Sequence, residues 1–263
     1  MIIDTHIHLD GEEFAEDREE VVRRAKEAGV ARMLLPAIDD KTTDAVAEVA
    51  QRLGGYALPM IGLHPEEVKA DWREVLARLK PRVGKPFVAI GEVGLDFYWS
   101  REFEKEQLEA FEEQVKWSVE TRLPLMIHCR KAQNEMVAIM KHYKGELPGG
   151  VFHCFTGNEK EAEQLLDFHN FALGIGGVLT FKKSNLPQTL AATVPLQRIV
   201  LETDAPYMAP VPMRGKRNES SFLVHVVAKM AEAYGTTAEE VERVTTANAE
   251  RIFSLALTLE PNI

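Results

Sequence analysis

The sequence has little cysteine, no long apolar run and no excess of positive charge. Its 263 residues include two cysteines, too few for a disulfide framework and typical of a protein from a reducing cytoplasm. No apolar run approaches the roughly 18 residues that a membrane-spanning helix needs. The opening residues, MIIDTHIHLD, also lack the basic segment of a signal peptide. We therefore expect a cytoplasmic protein that is not bound to a membrane.

The charge balance excludes a protein that coats nucleic acid. Lysine and arginine number 31 against 41 aspartate and glutamate residues, which gives a formal net charge of −10. A general nucleic-acid binder usually presents a basic surface. Any polyanion must therefore be bound at a local site, within a chain whose 45% hydrophobic content is that of an ordinary globular protein.

Short apolar runs alternate with longer amphipathic stretches along the whole sequence. The apolar runs predict strands over residues 1–7, 32–37, 56–63, 87–93, 125–129, 151–155, 171–176 and 198–203. The amphipathic stretches predict helices over residues 16–28, 42–53, 72–80, 102–121, 131–142, 160–168, 186–193, 222–234 and 238–253. Eight strand–helix repeats in a chain of this length predict an α/β fold, a single (β/α)8 TIM-barrel domain over residues 1–263. The alternative is an open doubly wound sheet, but residues 174–177, GIGG, do not complete its glycine fingerprint.

Residue types that bind metals stand at the ends of several predicted strands. The carboxyl ends of barrel strands meet at one rim, where active sites are built. We therefore expect a metal centre built from His6, His8, His128 and His153 together with two carboxylates from the strand ends. Six ligands exceed the needs of one catalytic ion and suit two divalent ions about 3.5–4 Å apart with a bridging carboxylate. Nitrogen and oxygen ligands leave Mg, Mn, Zn, Ni and Fe open.

A structural role is the alternative for each of these histidines taken alone. In the first strand, alternation places His6 and His8 on one face together with Asp4. Such a His-x-His pair is by itself a weak indication of a metal site. Ligand-type residues at five separate strand ends favour the metal centre.

The two cysteines directly follow two of these histidines. If His128 and His153 point into the barrel mouth, alternation makes Cys129 and Cys154 point outward toward the helices. We therefore expect both cysteines to be small buried apolar residues and not metal ligands.

Other polar and aromatic residues near the strand ends are candidates for substrate contacts. His64 ends the third strand and either contacts a substrate phosphate or caps the loop. Arg130 offers a planar fork that suits a phosphate. The aromatic run 97–99, FYW, either stacks on bases or forms a packed lid.

Seven sequence blocks carry a resemblance to a known family. They are DTHIHLD at 4–10, GLHP at 62–65, IGEVGLD at 90–96, HCR at 128–130, HCFTG at 153–157, ETDAPY at 202–207 and RGKRNE at 214–219. In this order, from residue 2 to about residue 253, they resemble the signature blocks of the TatD family of metal-dependent hydrolases. One departure is Ser220, where the family block usually has proline.

The resemblance implies a metal-dependent deoxyribonuclease. The commonest activity of the family is 3′-to-5′ hydrolysis of DNA. The expected partner is therefore DNA with single-stranded or frayed 3′ ends, and no obligatory protein partner is visible. The resemblance further implies a role for each matching residue: His6, His8 and Asp204 on the first ion, Glu92 bridging two ions, His128 and His153 on the second, and His64, Arg130, Arg217 and Asn218 toward the substrate.

The expected mechanism gives catalytic roles to two carboxylates. Asp204 would accept a proton from the attacking water, and Glu92 would hold the centre together. A D-aminoacyl-tRNA deacylase or an amidohydrolase could use the same centre, although Glu92 stands where many amidohydrolases have a carboxylated lysine. A non-catalytic metal- or nucleic-acid-binding barrel is the third alternative, and the full ligand set argues against it.

Overall fold

A computed structural model describes residues 1–255 of the protein. It contains eight strands that follow one another along the chain, namely β1 (Ile2–Asp4), β2 (Val30–Leu35), β3 (Ala57–Pro59), β4 (Ile90–Asp96), β5 (Leu125–Arg130), β6 (Gly150–Phe152), β7 (Phe171–Ile175) and β8 (Ile199–Leu201). The predicted carboxyl-terminal boundary at residue 263 lies outside the described residues.

Amphipathic helices follow the strands at nearly the predicted positions. Within residues 1–255 they are α1 (Arg18–Glu27), α2 (Asp40–Arg52), α3 (Trp72–Leu79), α4 (Glu104–Thr121), α5 (Gln133–His142), α6 (Glu159–Leu166), α7 (Leu186–Thr193), α8 (Leu223–Tyr234) and α9 (Ala238–Phe253). None of these helices is long and apolar enough to cross a bilayer.

The strands pair in parallel with their neighbours in the chain. One sheet has the order β1-β2-β3 and the other has the order β4-β5-β6-β7-β8. Backbone hydrogen bonds join the two sheets at both junctions. Between β3 and β4, the amide of Gly91 donates to the carbonyl of Ile61 at 2.9 Å. Between β8 and β1, the amide of Thr5 donates to the carbonyl of Leu201 at 3.0 Å.

These two junctions close the ring of eight strands. The fold is therefore the predicted (β/α)8 barrel, and the alternative of an open doubly wound sheet is excluded. In such a barrel every strand points its carboxyl end to the same rim.

The interior of the barrel is filled by apolar side chains that come in turn from all the strand regions. One buried cluster contains one residue from each of the eight strand regions and three residues from the end of α9. Its members are Ile3, Leu34, Met60, Ala89, Met126, Val151, Ala172, Val200, Ala249, Ile252 and Phe253. A larger buried cluster lies between the strands and the helices. The packed interior leaves the polar chemistry to the rim.

Candidate metal centre and active site

The carboxylate of Glu92 lies at the middle of the cluster at the rim. Glu92 is in β4 and is buried. Its Oε2 lies 3.1 Å from Nε2 of His6 and 3.8 Å from Nε2 of His8. The Nε2 atoms of His6 and His8 are themselves 3.2 Å apart. One oxygen of Glu92 therefore faces the His-x-His pair of the first strand region.

The second oxygen of Glu92 faces three further histidines. Oε1 lies 3.0 Å from Nδ1 of His128, 3.4 Å from Nε2 of His64 and 3.9 Å from Nε2 of His153. The ring of His64 is oriented by the amide of Glu66, which donates to Nδ1 at 3.2 Å. Because Nδ1 of His64 accepts this hydrogen bond, its Nε2 faces the centre as the donor nitrogen.

Asp204 joins the same group from the residues after β8. Its Oδ1 lies 3.6 Å from Nε2 of His8, 3.7 Å from Nε2 of His153 and 3.9 Å from Nε2 of His6. The backbone of Asp204 is left-handed, with φ of 55°, a conformation that aspartate tolerates better than most residues. The amide of Asp204 is fixed by the carbonyl of His6 at 2.9 Å.

The donor set fits divalent cations. His6, His8 and Glu92 offer three donor atoms within 4.8 Å of one another, and so do Glu92, His128 and His153. Glu92 belongs to both groups, which is the arrangement expected of a carboxylate shared by two ions. The mixture of imidazole nitrogen and carboxylate oxygen suits Zn and Mn as well as other divalent metals.

Two buried carboxylates that sequence reasoning had not assigned lie beside two of the histidines. Oδ2 of Asp96 lies 2.9 Å from Nε2 of His128. Oε1 of Glu202 lies 3.0 Å from Nδ1 of His153. Carboxylates in this position fix the tautomer and the direction of a metal-binding imidazole. The signal in the sequence was an acidic residue at the end of an apolar run, in the blocks GLD and ETD.

Glycine makes room for one of these carboxylates. A Cβ atom on Gly174 of β7 would lie 2.1 Å from Oε2 of Glu202. Only glycine therefore allows Glu202 its position beneath His153.

The buried carboxylates of the centre raise the pKa of two of its histidines. Burial raises the pKa of the Glu92 carboxyl, but the imidazoles of His6 and His64 among others hold it well below its usual range. Burial lowers the pKa of His128, but hydrogen bonds to Asp96 and Glu92 raise it to about 9. Burial lowers the pKa of His153 as well, but Glu202 and the other carboxylates raise it to about 10. Cations that bind here would replace these protons.

The outward orientation predicted for Cys154 is wrong, whereas the prediction for Cys129 agrees with the structure. The sulfur of Cys154 is within 4.8 Å of donor atoms of His153 and Asp204. Strand β6 ends at Phe152, so the alternation that was to turn this side chain outward stops before it. Burial and then the charge of Asp204 raise the pKa of the Cys154 thiol well above its usual value, which argues against a thiolate ligand. Cys129 packs against the apolar core.

The carboxylate of Asp4 does not share a face with His6 and His8, contrary to the prediction from strand alternation. Strand β1 ends at Asp4, so alternation does not extend to the two histidines. The buried carboxylate of Asp4 accepts hydrogen bonds from the hydroxyls of Thr203 and Ser220, at 2.7 and 2.6 Å. Asp4 therefore supports the backbone below the centre.

Arg217 and Asn218 form hydrogen bonds within the framework of the protein. The guanidinium of Arg217 forms two hydrogen bonds with the carboxylate of Asp17, at 2.8 and 2.7 Å. Asn218 is fully buried, and its amide donates to the carbonyls of Thr203 and Tyr207 at 2.9 and 2.7 Å. Both residues fasten the segment that follows β8, and the substrate contacts that the resemblance implied for them remain predictions.

Arg130 lies in a position that suits a substrate contact. Its side chain is exposed, and its guanidinium carbon is 3.7 Å from the centre of the Tyr98 ring. Arg130 lines a cleft of about 680 Å³ together with His153 and Cys154. The cleft thus connects the cluster of imidazoles and carboxylates around Glu92 with the positive charge of Arg130.

A closed (β/α)8 barrel with clustered imidazoles and carboxylates at its rim defines the class of barrel-fold metal-dependent hydrolases. The family model described as TatD related DNase matches residues 3–254. The chain belongs to this TatD family and is a metal-dependent hydrolase.

Two curated relatives and one solved structure illustrate the likeness. An uncharacterized metal-dependent hydrolase, YabD, from Bacillus subtilis is 37% identical, over 97% of this chain and 100% of its own. A 3′-5′ ssDNA/RNA exonuclease, TatD, from Erwinia billingiae is 35% identical, over 97% of this chain and 99% of its own. The crystal structure of YJJV, a TatD homologue from Escherichia coli, superposes with a TM-score of 0.87 at 29% identity, covering 97% and 98% of the two chains.

Proposed function

We propose that the protein is a divalent-metal-dependent phosphodiesterase that removes nucleotides from the 3′ end of single-stranded DNA. The observation that carries the proposal is the carboxylate of Glu92, whose two oxygens face different sets of imidazoles. The relatives named as 3′-5′ ssDNA/RNA exonucleases support the choice of substrate. The two cysteines are unpaired, which supports a reducing compartment such as the cytoplasm.

The residues divide into two metal sites in this proposal. His6, His8 and Asp204 would hold one ion, His128 and His153 the other, and Glu92 both. Two ions of Mg, Mn or Zn would acidify water and stabilise negative charge on the phosphoryl oxygens. His128 would present Nδ1 to the centre, since its Nε2 donates to Asp96.

Asp204 accepts the proton of the attacking water in the proposed reaction. Burial raises the pKa of its carboxyl, but contacts with His8 and the neighbouring imidazoles lower it below the usual value. The carboxylate is therefore ionised at neutral pH and ready to accept a proton. Arg130 and His64 bind the phosphate, Arg130 through its planar guanidinium and His64 through the proton on Nε2.

The variant Asp204→Asn tests the role of the proposed base. The amide keeps the size and an oxygen but cannot accept the proton, so we expect a folded protein that binds most of its metal and has lost turnover by at least about a hundredfold. The measurement combines kcat on single-stranded DNA with metal content and circular dichroism. Asp167→Asn is the matched control, because Asp167 forms a surface ion pair with Lys144 at 2.8 Å. Turnover by Asp204→Asn at the parent rate would show that Asp204 is not the base.

A further inference from the structure

Two aromatic side chains stand exposed at the rim directly after β4. Trp99 is 66% exposed and Tyr98 is 50% exposed, whereas the preceding Phe97 is buried. Of the three aromatic residues at 97–99, only Phe97 is therefore packed as the lid alternative predicts. Large aromatic surfaces that stay in water on a rim of an active site are typical of ligand-binding groups.

Arg130 is stacked on one of these rings. Its guanidinium carbon lies 3.7 Å from the centre of the Tyr98 ring and 5.2 Å from the centre of the Trp99 ring. The two aromatic rings are 4.8 Å apart and nearly perpendicular, at 83°. Since Arg130 covers a face of Tyr98, the more exposed indole of Trp99 is the ring that is free to stack on a ligand.

The carboxylate of Asp96 contacts both this aromatic segment and the cluster of imidazoles and carboxylates around Glu92. Oδ1 of Asp96 accepts a hydrogen bond from the amide of Tyr98 at 2.9 Å. Oδ2 of the same carboxylate lies 2.9 Å from Nε2 of His128. The backbone that carries the two aromatic rings is thereby held next to the proposed reaction centre, and Tyr98 and Arg130 line the cleft that leads to His153.

We propose that Tyr98, Trp99 and Arg130, called here the rim platform, bind the base and the phosphate of a nucleotide next to the cleaved bond. This proposal rests on the proposed function and names the chemistry of its substrate. A planar apolar face beside a fixed guanidinium matches an unstacked base beside a phosphate. Bases in a duplex are paired and stacked on each other, so the rim platform selects single strands.

Tryptophan fluorescence tests binding without requiring turnover. Trp72 and Trp117 are 5% and 1% exposed, so a ligand that stacks at the rim changes mainly the signal of Trp99. We expect a short oligothymidylate with phosphorothioate linkages to quench the fluorescence of the metal-loaded protein. A matched duplex is expected to quench it much less, and Trp99→Phe removes most of the change. Equal quenching of the parent and of Trp99→Phe would overturn the proposal.

A kinetic comparison tests whether the stacked group is a base. The parent and Trp99→Ala are assayed on two oligonucleotides that differ only in a base or an abasic site at the 3′ end. Loss of one stacked base corresponds to about a tenfold loss of kcat/KM. On the oligonucleotide with a 3′-terminal base, we expect Trp99→Ala to show this loss of kcat/KM relative to the parent. On the oligonucleotide with the abasic 3′ end, we expect the two proteins to have nearly the same kcat/KM. Val224→Ala is the control, because Val224 is an exposed apolar residue on α8.

The two experiments separate the rim platform from the nuclease activity. If the parent cleaves DNA and Trp99→Ala loses the same factor on both ends, or none, the rim platform is wrong and the proposed function stands. If single strands quench Trp99 but no DNA is cleaved with metals bound, the rim platform binds single strands without cleavage and the proposed function is wrong.

Discussion

At the level of single residues, the centre contains two further buried carboxylates beside its histidines. Asp96 and Glu202 are buried beside His128 and His153. The candidate ligands were predictable because histidine and acidic residues stand out at the ends of apolar strands. The same signal marks Asp96 and Glu202, but their histidine partners were not predictable, since these contacts join residues that are 32 and 49 positions apart.

Replacement of Asp96 tests this orienting role. Asp96→Asn leaves Nε2 of His128 without a charged acceptor, so we expect metal affinity to fall by about 10- to 100-fold. Isothermal titration of the metal-free protein with Mn or Zn measures the change. Asp167→Asn serves again as the control. An unchanged affinity in Asp96→Asn would mean that His128 keeps its orientation by packing alone.

Metal binding is expected to release protons at neutral pH. Without metal, the pKa of His128 is raised to about 9 by Asp96 and Glu92 against the effect of burial, and that of His153 to about 10 by Glu202 and other carboxylates. Both rings are therefore protonated at pH 7, and a cation must displace those protons. Apparent metal affinity should thus rise as the pH increases from 7 toward 10. Titration calorimetry in buffers of different ionisation enthalpy counts the protons, and a count of zero would contradict this charge assignment.

At the level of elements, the helices were predicted more closely than the strands. The helix predicted over 186–193 is observed at Leu186–Thr193, whereas the strand predicted over 56–63 is observed only at Ala57–Pro59. The apolar run continues beyond the strand, but Leu63 exchanges its backbone hydrogen bonds with the side chain of Gln114 on α4. The side chain of Gln114 thus satisfies backbone groups that a neighbouring strand would otherwise pair with. The hydropathy pattern of the sequence does not reveal such a contact.

The segment after β8 provides a prediction at the same level. In Asn218→Ala, the carbonyls of Thr203 and Tyr207 lose a buried donor, so we expect the free energy of unfolding to fall by about 1–3 kcal/mol. Thermal and urea unfolding measure the loss, with Asn134→Ala, at an exposed position, as the control. A raised KM for DNA with unchanged stability would instead support Asn218 as a substrate contact.

At the level of the whole molecule, barrel closure explains how distant residues form one centre. His6 and Asp204 meet because the segments after β1 and β8 are hydrogen-bonded across the last junction of the ring. The net charge of −10 describes a surface that repels polyanions in general. Bound divalent cations and Arg130 offset it locally, so nucleic acid should be bound weakly away from the rim and tightly only through a free end.

Metal-dependent shortening of single-stranded DNA tests the central claim most directly. The metal-stripped protein is reloaded with Mg, Mn or Zn and incubated with oligonucleotides labelled at the 5′ end. We predict stepwise shortening from the 3′ end with release of mononucleotides, none of it without metal, and a loss of this activity in Glu92→Gln. An absence of phosphodiester cleavage with metals bound, or cleavage by Glu92→Gln at the parent rate, would contradict the account.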